Sequence, residues 1–184
     1  LGHTYFVTGR QKEAFEAMQK VLAFNPRYMD ALTACAVITD GQGKKEEARE
    51  YFRRALEVEP ENKFLRMSYA LNLATGGKIA EAVAAYTGLI KDYPDEGIHY
   101  QYLGIVYGMA GNYEDAITNL EKAISLNPTP IAYLNLAVAL KGTGDIAGAV
   151  RNFELYLENP EGEDEAKIRS VRAELENLKR RLNS

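Results

Sequence analysis

The sequence predicts an all-α solenoid: antiparallel helix pairs stacked in a row and closed by one further helix. Three observations carry this. Prolines follow helical stretches at Pro26, Pro60, Pro94 and Pro128, spaced 34, 34 and 34 residues. Glycines recur at Gly9, Gly43, Gly77, Gly111 and Gly144, spaced 34, 34, 34 and 33. Alanines recur at Ala14, Ala48, Ala82, Ala116 and Ala149 with the same spacings. Three columns in one register place an array at 1–162, with repeats at about 1–28 (partial), 29–62, 63–96, 97–129 and 130–162. A fixed period of this size marks stacked repeats, each too small to bury its apolar face alone.

The first repeat enters late, at Leu1, Gly2 and Tyr5, followed by Ala14 and Pro26. It lacks the front of its first helix, as expected of a chain that begins inside a longer array or was trimmed. The second repeat supplies Leu32, Cys35, Ala36 and Thr39, then Ala48, Phe52, Ala55 and Pro60. The third supplies Arg66, Tyr69, Ala70 and Leu73, then Ala82, Tyr86, Leu89 and Pro94.

The fourth repeat is the clearest. Tyr100, Leu103, Gly104 and Tyr107 lie at i, i+3, i+4 and i+7, one face of a first helix. Gly111 suits the helix C′ position, where the backbone needs a positive φ. Ala116, Leu120, Ala123 and Ile124 form one face of a second helix, which Asn127-Pro128 stops. Gly104 and Ala116 are small enough to let the two helices approach closely.

The fifth repeat supplies Tyr133, Leu136, Ala137 and Leu140, then Ala149, Phe153 and Tyr156. It is one residue short at Asn127-Pro-Thr-Pro-Ile131, which is expected to alter slightly how it stacks. After Asn159-Pro160-Glu161-Gly162 a last helix is expected at about 163–182, within a capping segment 163–184. Its apolar residues, Ile168, Val171, Leu175, Leu178 and Leu182, make one narrow seam. Its acidic start, Glu163-Asp164-Glu165, and basic end, Lys179-Arg180-Arg181, complement the helix dipole. A cap over the last repeat is the favoured role, and a dimerising coiled coil the alternative.

These columns resemble the tetratricopeptide repeat (TPR), whose pattern is W-x2-L-G-x2-Y, then A-x3-F, A and P in 34 residues. The resemblance covers about residues 1–160. It implies a right-handed superhelix whose first helices line a concave face that binds a peptide or a helix. Groove-facing columns carried over from the family place Asp30, Phe64, Ile98 and Ile131 at repeat position 2. Position 5 holds Thr33, Met67, Gln101 and Leu134. Position 9 holds His3, Val37, Leu71, Ile105 and Val138, and position 12 Phe6, Asp40, Ala74, Gly108 and Lys141. The candidate partner-binding residues are Met67, Leu71, Ile98, Gln101, Ile105, Leu134 and Val138, with packing between neighbouring helices as the plainer reading. No three consecutive repeats supply the Lys, Asn and Arg set with which chaperone-binding TPR domains hold a terminal carboxylate. The repeated groove asparagines of sugar-transferase TPR superhelices are absent too, Asn135 standing alone.

One stretch invites a different reading. "GTGDIAGAV", residues 142–150, matches G-x-G-x-x-A through Gly142, Gly144 and Ala147. That loop cradles a dinucleotide when it joins a strand to a helix. Here it follows the helical run 131–140 and is the fifth copy of the repeat turn, so the match is read as coincidental.

Composition narrows the function classes. Of 184 residues, 22 are Lys or Arg and 26 Asp or Glu, a net charge of −4. That balance argues against sequence-independent nucleic-acid binding, which depends on neutralising phosphates. Cys35 is the single cysteine and lies in an apolar run, so packing is expected rather than nucleophilic chemistry. His3 and His99 have no ligand-like spacing around them, and neither a metal site nor a cofactor is expected. The acidic pairs Glu46-Glu47 and Glu114-Asp115 fall on first turns of second helices, where they favour the dipole. The tyrosines Tyr69, Tyr86, Tyr100 and Tyr107 sit in register, as packing rather than as a platform for bases. No membrane span is present; the sequence leaves the compartment open, with soluble and cytoplasmic the slightly favoured reading. The favoured function is a non-catalytic scaffold for a protein or peptide partner. A repeat segment of a larger enzyme and a self-assembling homo-oligomer are the alternatives.

Overall fold

The computed structural model describes residues 11–159 and 164–182. The first-repeat positions Leu1, Gly2, His3, Tyr5, Phe6 and Gly9 lie outside this range, as does the start expected for the last helix. Every regular element among the described residues is a helix. They are α1 (Gln11–Phe24), α2 (Met29–Gly41), α3 (Lys45–Val58), α4 (Lys63–Thr75), α5 (Ile79–Asp92), α6 (Gly97–Met109), α7 (Tyr113–Leu126), α8 (Pro130–Thr143), α9 (Ile146–Glu158) and α10 (Glu165–Leu182). The chain divides into two compact units, Leu1–Ala85 and Tyr86–Ser184, the boundary falling inside α5.

The turn inside each repeat follows from its glycine. Gly43, Gly77, Gly111 and Gly144 have φ of 77°, 78°, 75° and 88°, a region that costs a side chain bearing a Cβ. The next residue then donates its N–H back over the turn: Lys44 to the Thr39 carbonyl, Lys78 to Leu73, Asn112 to Tyr107 and Asp145 to Leu140, at 2.8–3.0 Å. This satisfies carbonyls that the helix end would otherwise leave open. Second helices close differently. In α3, α5 and α7 the residue after the last turn still bonds back (Glu59 to Ala55, Tyr93 to Leu89, Asn127 to Ala123) and proline follows at once. Helix starts are capped where a side chain allows it. Asn62, Asn112, Thr129 and Asp145 accept from the N–H three residues on.

In unit 1, α1 packs on α2, α2 on α3 and α3 on α4. Ala14 is completely buried. A core of Leu22, Ala31, Leu32, Cys35, Ala36, Ala48, Phe52, Ala55 and Leu65 runs through the helices. In unit 2, α6 pairs with α7 and α8 with α9, and α7 and α8 join the two pairs. A Cβ on Gly104 would lie 2.6 Å from Leu120 Cγ and 3.1 Å from the Ala116 carbonyl. The close approach expected of Gly104 and Ala116 is thus what sets the α6–α7 spacing. Gly142 also has a packing role beyond the motif match. A Cβ there would stand 2.6–2.7 Å from the Tyr113 ring. Ala147, the third member of that match, is exposed on α9. Tyr86 is fully buried and stacks on Tyr102, with centroids 5.6 Å apart.

The last helix lays Val171, Leu175 and Leu178 on Ala137, Ala149, Val150, Phe153 and Tyr156. Ile168 is half-buried and Leu182 exposed. Two ion pairs hold α10 from either side, Lys141–Glu174 at 2.8 Å and Lys179–Glu154 at 2.9 Å.

Candidate functional site

The first helices carry the candidate residues, and each unit presents them on its own face. In unit 1, Asp40 and Asn72 tie α2 to α4 through a 2.6 Å hydrogen bond. The groove columns put Asp30, Thr33 and Val37 on α2 and Phe64, Met67 and Leu71 on α4. Met67 is half-buried and Leu71 is 39% exposed. Two neighbours extend this face beyond the expected set. Val37 is 41% and Phe64 74% exposed. Both stand in groove columns in the sequence. The candidate set, centred further along the chain, does not include them.

In unit 2 the first helices α6 and α8 are in contact; α6 carries Ile98 and Ile105, and α8 carries Leu134 and Val138. Val138 is 44% exposed, while Ile98, Ile105 and Leu134 are half-buried. Leu134 also packs against the core shared with α9 and α10. Gln101 is placed otherwise than expected. It is 5% exposed, and its Oε1 accepts a 2.6 Å hydrogen bond from Thr129 Oγ1, the N-cap of α8. A buried amide so engaged joins α6 to α8 instead of facing a partner. Neither α6 nor α8 contains a carboxylate, and the one lysine, Lys141, is paired to Glu174. The face of unit 2 is accordingly apolar and uncharged, with an ion pair at its rim.

The groups that carry reaction chemistry elsewhere are engaged in packing. Cys35 is buried, and desolvation pushes its thiol up to about 11, outweighing the opposing field of Arg54. His99 is buried beside Tyr93, its Nε2 3.3 Å from a Glu96 carboxylate oxygen. Among the described residues no group of three His, Cys, Asp or Glu side chains is placed to hold a metal ion. No helix among them is long and apolar enough to cross a membrane.

Comparison with known proteins supports the repeat family. Residues 40–99 match the family model "Tetratricopeptide repeat" and residues 104–144 the model "TPR repeat". An uncharacterised protein of Sinorhizobium fredii is 42% identical over 69 residues, 38% of this chain and 38% of that one. A TPR repeat-containing protein of Methanocaldococcus jannaschii is 26% identical over 166 residues, 85% of this chain but 29% of its own length. The chain thus spans well under half of either curated relative. Among solved structures, PilW, described as a widely conserved type IV pilus biogenesis factor, superposes with a TM-score of 0.83 at 22% identity. The superposition covers 97% of this chain and 82% of that one. At that identity the likeness bears on the fold alone, an all-α solenoid of helix pairs.

Proposed function

We propose that this chain, which belongs to the tetratricopeptide repeat family, is a non-catalytic scaffold that holds a peptide or helix of another protein on its first-helix faces. One observation carries the proposal. Val37, Leu71 and Val138, three members of one register column, leave branched apolar side chains about two-fifths exposed in both units, while the fourth described member, Ile105, is half-buried. Core-facing columns of the same helices are buried, so the pattern separates side chains that stack repeats from side chains left for a partner. The half-buried Ile98, Leu134 and Met67 flank that column, as supports or as further contacts.

Leu71→Glu and Ile105→Glu test this. Both variants are expected to keep native helicity, the cost being smaller at the more exposed Leu71. Both are expected to lose the partners that the unaltered chain captures in a pull-down. Folded variants that retain every association would overturn the reading. The modest share of the curated relatives covered by the alignment supports a second reading, a repeat segment of a larger protein. The reading frame surrounding the coding sequence tests that.

A further inference from the structure

Two polar side chains stand in register columns whose other described members are apolar. In the first helices the column of Asn72 also holds Ile38, Val106 and Ala139, all buried. In the second helices the column of Arg49 also holds Phe15, Val83, Ile117 and Val150. Within unit 1 the two exceptions meet. Arg49 Nε donates to Asn72 Oδ1 at 3.2 Å. The Asn72 amide nitrogen donates to Asp40 Oδ1 at 2.6 Å and to the Lys45 carbonyl at 3.1 Å. Asp40 pairs with Lys45 at 3.1 Å, and Arg49 with Glu46 at 2.6 Å. Asn72 is thereby served entirely by the α2–α3 hairpin while it sits, fully buried, on α4.

As a source of stability the arrangement is poor. Arg49 Nη2 is buried without a hydrogen-bond partner. Its room is made by Gly76, where a Cβ would lie 2.5 Å from that nitrogen. An apolar pair of the kind the other repeats carry would bury the same surface without desolvating a guanidinium. What the polar pair does supply is discrimination. On any other hairpin Asn72 would face an apolar member of the Arg49 column and lose its partners. Arg49 under α2, α6 or α8 would likewise face Ile, Val or Ala. Apolar columns make no such distinction, as Ile117 and Ala139 show in unit 2, where both belong to one core cluster.

We propose that the Arg49–Asn72 match is an order lock, admitting the 63–96 repeat onto the 29–62 repeat and penalising its stacking on any other hairpin, whether of this chain or of a second copy. The proposal is independent of what the first-helix faces bind. It is a conformational device, acting while the repeats assemble.

The test uses the full chain with the pair made apolar, as R49V/N72V and as R49M/N72V, the latter keeping the length of the arginine stem. Each protein is refolded from denaturant over a range of concentrations. Helicity, Tm and assembly state by light scattering are then compared with the unaltered chain. The expected result is native helicity and a Tm equal to or above the parent's. With it comes a severalfold larger oligomeric fraction that grows with concentration during refolding. N72V alone, which leaves Arg49 buried against valine, is expected to lower Tm by several degrees. Double variants that refold to the parent's assembly state at every concentration overturn the proposal. So do double variants that both fail to fold, because the pair would then be a source of stability and not of order.

Discussion

Cys35 shows how enclosure decides the chemistry of a side chain. Its sulfur lies in the core of unit 1, and burial raises the thiol from 9.0 to about 11. Folding therefore favours the protonated form. That contribution is complete below pH 9 and is lost as the pH rises towards 11. Thermal melts are expected to fall across that window, and the fall should flatten in Cys35→Ala. Iodoacetamide at pH 8 should label the unfolded chain and spare the folded one. The burial was legible in advance, because Cys35 sits in an unbroken apolar run and in a core column. The fate of Gln101 was not. Its column faces a groove in the family, yet here the amide turns to Thr129, in the turn that is one residue short. A hydrogen bond that depends on where a shortened turn places one hydroxyl leaves no trace in periodicity.

For the helices, sequence and structure agree where local rules suffice. Turn glycines, stopping prolines and the alanine column each act through backbone geometry or side-chain size, so spacing alone announces them. Side-chain exposure depends on the neighbouring element, and there the reading was incomplete. Phe64 was placed in a groove column but left out of the candidate set, although it is among the most exposed apolar side chains described. Gly142 completes a motif by coincidence in the sequence, and only its neighbour Tyr113 reveals its packing role. Thr129 joins both levels. Its hydroxyl caps α8 by accepting from Ala132 N–H at 3.2 Å and also donates to buried Gln101 at 2.6 Å. Thr129→Ala removes a cap and leaves a buried carbonyl oxygen unpaired, a loss of about 2 kcal/mol. Urea unfolding should show it, and Thr129→Ser should restore most of it.

At the scale of the molecule, tasks are separated by helix. In unit 1 the first helices α2 and α4 expose Val37, Phe64 and Leu71, and the second helix α3 carries charges in i,i+3 and i,i+4 pairs. The end of unit 2 is a different problem. Val150, Phe153 and Tyr156 of α9 are buried in the core cluster that α10 completes. Removing residues 164–184 would open that apolar surface to water. The shortened chain is expected to melt at lower temperature and to aggregate in light scattering, whereas Arg172→Glu, on the exposed face of α10, should do neither.

The stacked rings of Tyr86 and Tyr102 have a use that owes nothing to binding. The chain has twelve tyrosines and no tryptophan, so its near-ultraviolet spectrum is written by phenol rings. Two of them lie nearly parallel, 10° apart in plane, and one is sealed from solvent. Such a pair absorbs as a coupled chromophore with a fixed handedness, while freely turning rings average their signals away. Circular dichroism between 270 and 290 nm, a band of roughly the phenol absorption, would then report on the join of α5 and α6 without a label. Tyr102→Phe would identify its share of the signal.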